Sequence, residues 1–221
     1  MEIKTLKTNI KSIDKIFHIS DIHIRTLKRH REYQEVFDTL FLHIAQHATD
    51  QSICVITGDI VHSKLDMSPE LINMLTKFFN GFHIPTIVIL GNHDMNLNNL
   101  YRLDAISPIL DVINNSNIHF IKENGLFKFA NIVFNHMAVD VAPKNYIQAK
   151  DFDAHYKIAL HHGAVHNAKT DIGFQISNDH VTTDLFEGHD LTLLGDIHKP
   201  AQFLNKEKTI GYPGSLIQQN H

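Results

Sequence analysis

The sequence predicts an α/β fold built on a mainly parallel sheet covered on both faces, and three observations lead there. Short β-branched runs such as ICVIT at 53–57 and TIVIL at 86–90 are apolar but for one terminal threonine each, as expected of strands buried on both faces. Longer segments between them carry apolar residues at three- and four-residue spacing, the period of a helix face. The two patterns alternate along the chain, which is the order of βαβ units.

Residues 13–20 (IDKIFHIS) read as a strand that ends in a polar turn. Tyr33, Val36, Phe37, Leu40, Phe41 and Ile44 then mark an amphipathic helix. After ICVIT a second helix opens near Pro69, a residue suited to a first turn because its missing N–H would be unpaired there anyway. Leu71, Ile72, Leu75, Phe78 and Phe79 form its apolar face. Further strands are predicted at IVFNH (132–136), KIALH (157–161) and LTLLG (191–195), separated by irregular polar segments at 137–152 and 163–188. The segment 163–188 reads equally as a surface loop near the site or as a weakly patterned helix. With no repeat, low-complexity tract or linker, residues 1–221 are expected to form one domain, a length a single core supports.

The net charge of -4 and pI of about 6.5 exclude a chain that coats nucleic acid by bulk positive charge. A polyanion would have to be met by a local patch or by metal. Cys54, the single cysteine, rules out an intramolecular disulfide and reads as a small buried hydrophobe. No apolar run approaches the ~18 residues of a membrane span, and 1–14 has no signal-peptide core, so a soluble cytoplasmic protein is expected. The chain holds 18 histidines, most of which, His43, His47, His119 and His221 among them, follow no ligand spacing.

The chemistry gathers where predicted strands end. Asp21-Ile22-His23 follows the first, Gly58-Asp59 the second, and Gly91-Asn92-His93-Asp94 the third; His161-His162-Gly163 and Gly195-Asp196-Ile197-His198 follow two later ones. Carboxyl ends of parallel strands meet at one edge, where ligand sites form. Carboxylate, imidazole and amide oxygen are donors for hard or borderline divalent ions, not for a thiolate site. In an extended D-x-H segment both side chains leave the same side, so Asp21 and His23 are expected to clasp one ion. Asp59 has two oxygens with which to bridge ions roughly 3.5 Å apart, and Gly58 permits the tight turn before it.

This order of motifs resembles the calcineurin-like metallophosphoesterase superfamily from Phe17 to about Gln218. Within it the chain is most similar to SbcD-type DNA repair nucleases, through Gly58-Asp59-Ile60-Val61-His62-Ser63, Asp94 at the end of the third motif, and Tyr212-Pro213-Gly214-Ser215-Leu216. The resemblance implies a four-layer αββα sandwich of two mixed sheets flanked by helices, with the metal site at the carboxyl ends of the strands. It gives one ion to Asp21, His23, Asp59 and His198 and the second to Asp59, Asn92, His161 and Asp196. His93 then acts as a catalytic residue without binding metal, His62 contacts or orients substrate, and Asp94 orients His93 through a hydrogen bond. Two divalent ions are implied, manganese first, with iron, magnesium or zinc as alternatives.

Position 196 departs from the pattern, being Asp where the superfamily usually has His. The resemblance implies a nuclease domain alone, with the DNA-capping and ATPase-binding regions of such nucleases expected to be absent from residues 1–221. The implied partners are DNA, an SbcC-type ATPase subunit and a second copy in a homodimer, with no membrane. Arg25, Lys28, Arg29 and Arg31 place four positive charges after the first ligand pair, suited to phosphates flanking a scissile one; Lys64 and Lys199 invite the same reading. Two other functions stay open: a small-molecule phosphodiesterase acting on cyclic nucleotides with the same metals, and a weakly active docking subunit for an ATPase.

Overall fold

Each run read as a strand folds as one, and both long helices form where their apolar faces fall. The computed structural model describes residues 2–219; Met1, Asn220 and His221, and the parts of the expected domain and histidine assignments resting on them, lie outside the described residues. The strands are β1 (Ile3–Thr5), β2 (Lys15–Ile19), β3 (Ser52–Thr57), β4 (Thr86–Ile89), β5 (Ile118–Phe120), β6 (Gly125–Phe129), β7 (Ile132–Met137), β8 (Tyr156–His162), β9 (Leu191–Gly195), β10 (Gln202–Phe203) and β11 (Ile210–Tyr212). The helices are α1 (His30–His47), α2 (Pro69–Asn80) and the single turn α3 (Ser107–Leu110). Ser68 caps α2, its Oγ accepting from the Leu71 N–H at 3.2 Å.

Two sheets result, one of four strands in the order β2-β3-β4-β5 and one of seven in the order β1-β6-β7-β8-β9-β11-β10. They pack face to face through Ile53, Val55, Ile87 and Ile89 from the first and Phe127, Phe129, Phe134, Ile158 and Leu160 from the second. The helices α1 and α2 cover the other face of the four-stranded sheet. There Phe37 meets Phe78 at 4.6 Å and Phe78 meets Phe82 at 5.1 Å between ring centroids. Burying each such ring is worth about 1.5–3 kcal/mol. Ile72, expected on the inner face of α2, is instead 40% exposed.

The expected sandwich of two sheets is present, with two differences in detail. The four-stranded sheet is wholly parallel, and only the seven-stranded sheet is mixed, through the antiparallel pairs β6–β7 and β10–β11. The outer face of the seven-stranded sheet is covered by irregular segments and 3-10 turns, with Tyr146, Val165, Ala168, Val181 and Phe186 packed on Met137, Ala159 and Leu194. The segment 163–188 is therefore a packed cover with one 3-10 turn at Thr183–Phe186, and it forms no α-helix. Among the described residues no helix is long and apolar enough to cross a membrane.

Candidate metal centre

The parallel strands β2, β3 and β4 of one sheet and β8 and β9 of the other end at the same edge, and their polar turns meet there. The first turn departs from the extended geometry expected of D-x-H. Asp21 has φ 53° and His23 φ 50°, both left-handed. The Asp59 carbonyl holds this shape by accepting from the N–H groups of Ile22 and His23, each at 2.9 Å, while the Asp21 N–H donates to the Gly58 carbonyl at 3.1 Å. Asp59 (φ 53°) and Asp196 (φ 97°) share the left-handed region, so Asp196 and His198 are not related by an extended segment either. Such residues cost on the order of 1–3 kcal/mol each and persist where their surroundings over-determine them.

Gly58 does what its place before Asp59 suggests. Its φ is 87°, and a Cβ there would lie 2.6 Å from the Gly91 nitrogen and 2.8 Å from the Gly91 Cα. Two turns from neighbouring strands thus touch backbone to backbone, which brings the Asn92 loop against Asp59.

Two groups of donors face each other across the Asp59 carboxylate. On one side His23 Nε2 lies 3.5 Å from Asp59 Oδ2, 3.9 Å from Asp21 Oδ1 and 3.0 Å from His198 Nε2; His198 Nε2 is 3.8 Å from Asp21 Oδ1. On the other, His162 Nε2 lies 3.3 Å from Asp59 Oδ1, 3.0 Å from Asn92 Oδ1 and 3.8 Å from Asp196 Oδ1. The Asp196 N–H in turn donates to both Asp21 oxygens, at 3.1 and 3.2 Å. Six of the expected metal ligands, Asp21, His23, Asp59, Asn92, Asp196 and His198, are brought together.

The seventh, His161, is not, and the structure puts His162 in its place. Side chains on a strand alternate. Along β8, Ile158 and Leu160 face the other sheet, so His162 does too; Ala159 faces outward, and His161 with it. The His161 ring packs at 5.6 Å from Tyr146 and 6.0 Å from Phe186, and its Nδ1 bonds to the Met137 carbonyl.

Asp94 also has a different task from orienting His93. Its carboxylate, fully buried, accepts from the N–H groups of Ile60, Val61 and Gly91 at 2.8, 3.0 and 2.9 Å, tying the loops after β3 and β4 together. His93 is oriented by the His62 carbonyl, 2.8 Å from its Nδ1, and its own N–H donates to Asp59 Oδ1 at 2.9 Å. The rings of His62 and His93 stack at 5.9 Å, beside His23. Lys64 braces this loop, its Nζ donating to the Asn92 carbonyl at 2.9 Å.

Sequence reasoning did not foresee what Tyr212-Pro213-Gly214-Ser215 does here. The Tyr212 hydroxyl donates to the Gly163 carbonyl and accepts from the Val165 N–H, at 2.8 and 2.9 Å, and the Ser215 N–H donates to the His198 carbonyl at 3.2 Å. The run braces the turns that carry His162 and His198.

The four basic residues divide. Arg29 pairs with Glu32 and donates to the Gln218 carbonyl, and Arg31 pairs with Glu35 along the exposed side of α1. Arg25 and Lys28, with Thr26, Leu27 and His62, line a pocket of about 360 Å³ beside the metal ligands. The buried Nε of Arg25 has no hydrogen-bond partner among the described residues.

Burial raises the Asp21 carboxyl to about 7 and lowers the His23 imidazole to about 3. Burial would also raise Asp59 and lower His162, but their mutual attraction, with His23 helping one and Asp21 and Asp196 the other, moves them oppositely: Asp59 below the carboxylate range, His162 well above the imidazole range. Among the described residues, the ion-pair contacts of Asp21, Asp59 and Asp196 are all with imidazoles and none with Lys or Arg. Three clustered carboxylates without a permanent cationic partner, facing imidazole nitrogens, fit divalent cations.

Residues 14–200 match the model of the calcineurin-like phosphoesterase family. The chain is 44% identical over 227 residues to protein R555 of Acanthamoeba polyphaga mimivirus, an alignment that takes in 97% of this chain and 16% of that protein's length. It is 26% identical over 213 residues to protein 244L of Invertebrate iridescent virus 6, covering 92% of this chain and 70% of the relative. Among solved structures, the nuclease MPE of Pseudomonas putida aligns with a TM-score of 0.38 and 14% identity over 73% of this chain and 66% of that one. With its motifs assembled at one sheet edge and the family model matched along most of its length, the chain belongs to the calcineurin-like phosphoesterase family.

Proposed function

We propose that this protein is a two-metal phosphodiesterase acting on DNA, with manganese as its first-choice ion. The observation that carries the reading is the pocket lined by Arg25, Lys28 and His62, which opens beside the paired donor groups. A phosphomonoester needs no cationic groove next to the reacting phosphate. A nucleic-acid strand, whose neighbouring phosphates continue past the scissile one, does. The reading extends to an SbcC-type ATPase partner, supported by the G-D-x-x-H-S and Y-P-G-S runs.

Asp21, His23, Asp59 and His198 would hold one cation and Asp59, Asn92, His162 and Asp196 the other. Two such cations neutralise the oxygens of a phosphoryl group and activate water near it. The chain's own contribution to the leaving side is His93. With Nδ1–H donating to the His62 carbonyl, Nε2 is the atom that, in the protonated imidazolium, would give its proton to the departing oxygen and leave a neutral ring. Arg25 and Lys28 would seat the flanking phosphate, and His62 would close the space between that seat and the metals.

The test is hydrolysis of single- and double-stranded DNA, a cyclic nucleotide and an aryl phosphodiester in manganese, for the parent protein and for Arg25→Glu with Lys28→Glu. DNA cleavage should fall and lose its salt dependence in the double variant while aryl phosphodiester turnover stays near the parent value. Equal loss on both substrates would assign the segment to folding. Turnover confined to the cyclic nucleotide would replace DNA with a small-molecule substrate.

A further inference from the structure

We infer that the two cation positions are chemically unequal, and that Asp196 makes the second an exchangeable seat for a hard ion such as manganese or magnesium while the first retains zinc or iron. The inference rests on the two-metal reading and concerns which ion each position selects. The group around His198 offers two imidazole nitrogens, His23 Nε2 and His198 Nε2, 3.0 Å apart, with carboxylate oxygens of Asp21 and Asp59. The group around His162 offers one nitrogen and oxygens from Asp59, Asn92 and Asp196, with an oxygen of Asp21 also within 4.8 Å of the Asp59 and His162 donors. Imidazole favours zinc and iron, whereas carboxylate and amide oxygen favour magnesium and manganese, so the donor sets select different ions.

Position sharpens the contrast. The Asp196 side chain is 28% exposed, against 1% for His162 and 2% for Asp59, so it forms the solvent-facing wall of its group. Its backbone N–H is anchored to both Asp21 oxygens, which fixes where the carboxylate starts but leaves its oxygens turned toward His162. Asp196 also adds a third carboxylate to a cluster meant for two dications, so the second position attracts a hard ion by charge while lacking the pair of imidazoles that retains zinc or iron.

The experiment is a metal-binding titration of chelator-treated protein, with zinc and manganese added singly and together, read by calorimetry and by metal content after gel filtration. The parent should bind one zinc tightly per chain and then take manganese at a second, weaker position. Asp196→His should hold two zinc ions and lose its preference for manganese at the second. Asp196→Asn keeps the shape and one oxygen, so it should fold as the parent does yet weaken the manganese position by at least the roughly 10- to 100-fold that loss of a supporting metal-site partner costs. Two zinc ions of equal affinity in the parent, or a manganese affinity unchanged in both variants, would overturn the inference while leaving the two-metal centre intact. Absence of any tight divalent binding in the parent would overturn that centre itself and the inference with it.

Discussion

His162 of one sheet places its Nδ1 2.7 Å from the carbonyl oxygen of Thr57 in the other. In its neutral form, the one a cation would bind, an imidazole that donates there keeps its lone pair on Nε2, the nitrogen that faces Asp59 and Asn92. The contact sets both the tautomer and the direction of the ring. His162→Gln should therefore lower manganese affinity at the position shared with Asn92 by at least roughly 10- to 100-fold, whereas His161→Gln should leave metal content unchanged. Equilibrium dialysis of the two variants side by side decides between neighbours that differ only in which face of β8 they occupy.

His93→Gln should reduce turnover of the aryl phosphodiester by about 10²- to 10⁴-fold, the usual worth of a positioned general acid. Metal stoichiometry should not move, because the backbone N–H bond to Asp59 survives the change. The loss should be smaller on a substrate whose leaving group needs no proton, and comparing two aryl leaving groups of different acidity measures that.

For Asp94 the expected effect is on stability before activity. Asp94→Ala strands three buried N–H groups, those of Ile60, Val61 and Gly91, at about 1–3 kcal/mol each. Chemical denaturation should show a loss of at least about 3 kcal/mol, with Asp94→Asn milder because one oxygen acceptor remains. A variant with parental stability would mean that the two loops are held by other contacts.

A pH effect follows from buried histidines away from the centre. Burial lowers His18 to about 3 and His136 to about 4, against 6.5 for an exposed imidazole. Between pH 6.5 and about 4 the unfolded chain binds protons that the folded chain refuses, so stability is full above 6.5 and falls as the pH drops. Each histidine contributes a slope of about 1.4 kcal/mol per pH unit inside that window. His136→Gln should flatten the dependence by about one proton, as read from urea midpoints between pH 7 and pH 5.

Most of the frame was legible in the sequence because buried parallel strands announce themselves; ICVIT and TIVIL are apolar on both faces and were placed almost to the residue. The strands that went unread are short or partly exposed. β1 is exposed along its whole length, and β6 joins β7 through Ala130 and Asn131, with Ala130 itself at φ 53°, where no Gly or Asn-Gly pair flags the turn. The site was legible as a set of motifs and misread at His161, because H-H-G alone does not say which face of the strand carries the ligand. Asp94 was misread for another reason: the family resemblance implied a hydrogen bond to His93, whereas the carboxylate turns back onto the main chain. The left-handed conformations at Asp21, His23, Asp59 and Asp196 had no signature, since they are imposed by carbonyls from other turns.

The reach between Asp21 and Asp196 has a consequence for how the molecule comes together. They are 175 residues apart in sequence, and Ser20 is further tied to Leu216 through the 3.1 Å bond from the Leu216 N–H to its carbonyl. Closing so long a loop is entropically expensive early in folding, and parallel pairings of this kind are slow to nucleate. Both donor groups are therefore complete only after the sheets have docked: Asp21, His23, Asp59 and Asn92 come from the turns of the four-stranded sheet, and His162, Asp196 and His198 join them from the other. Added metal should leave the refolding rate nearly unchanged and act almost wholly by slowing the escape from the native state.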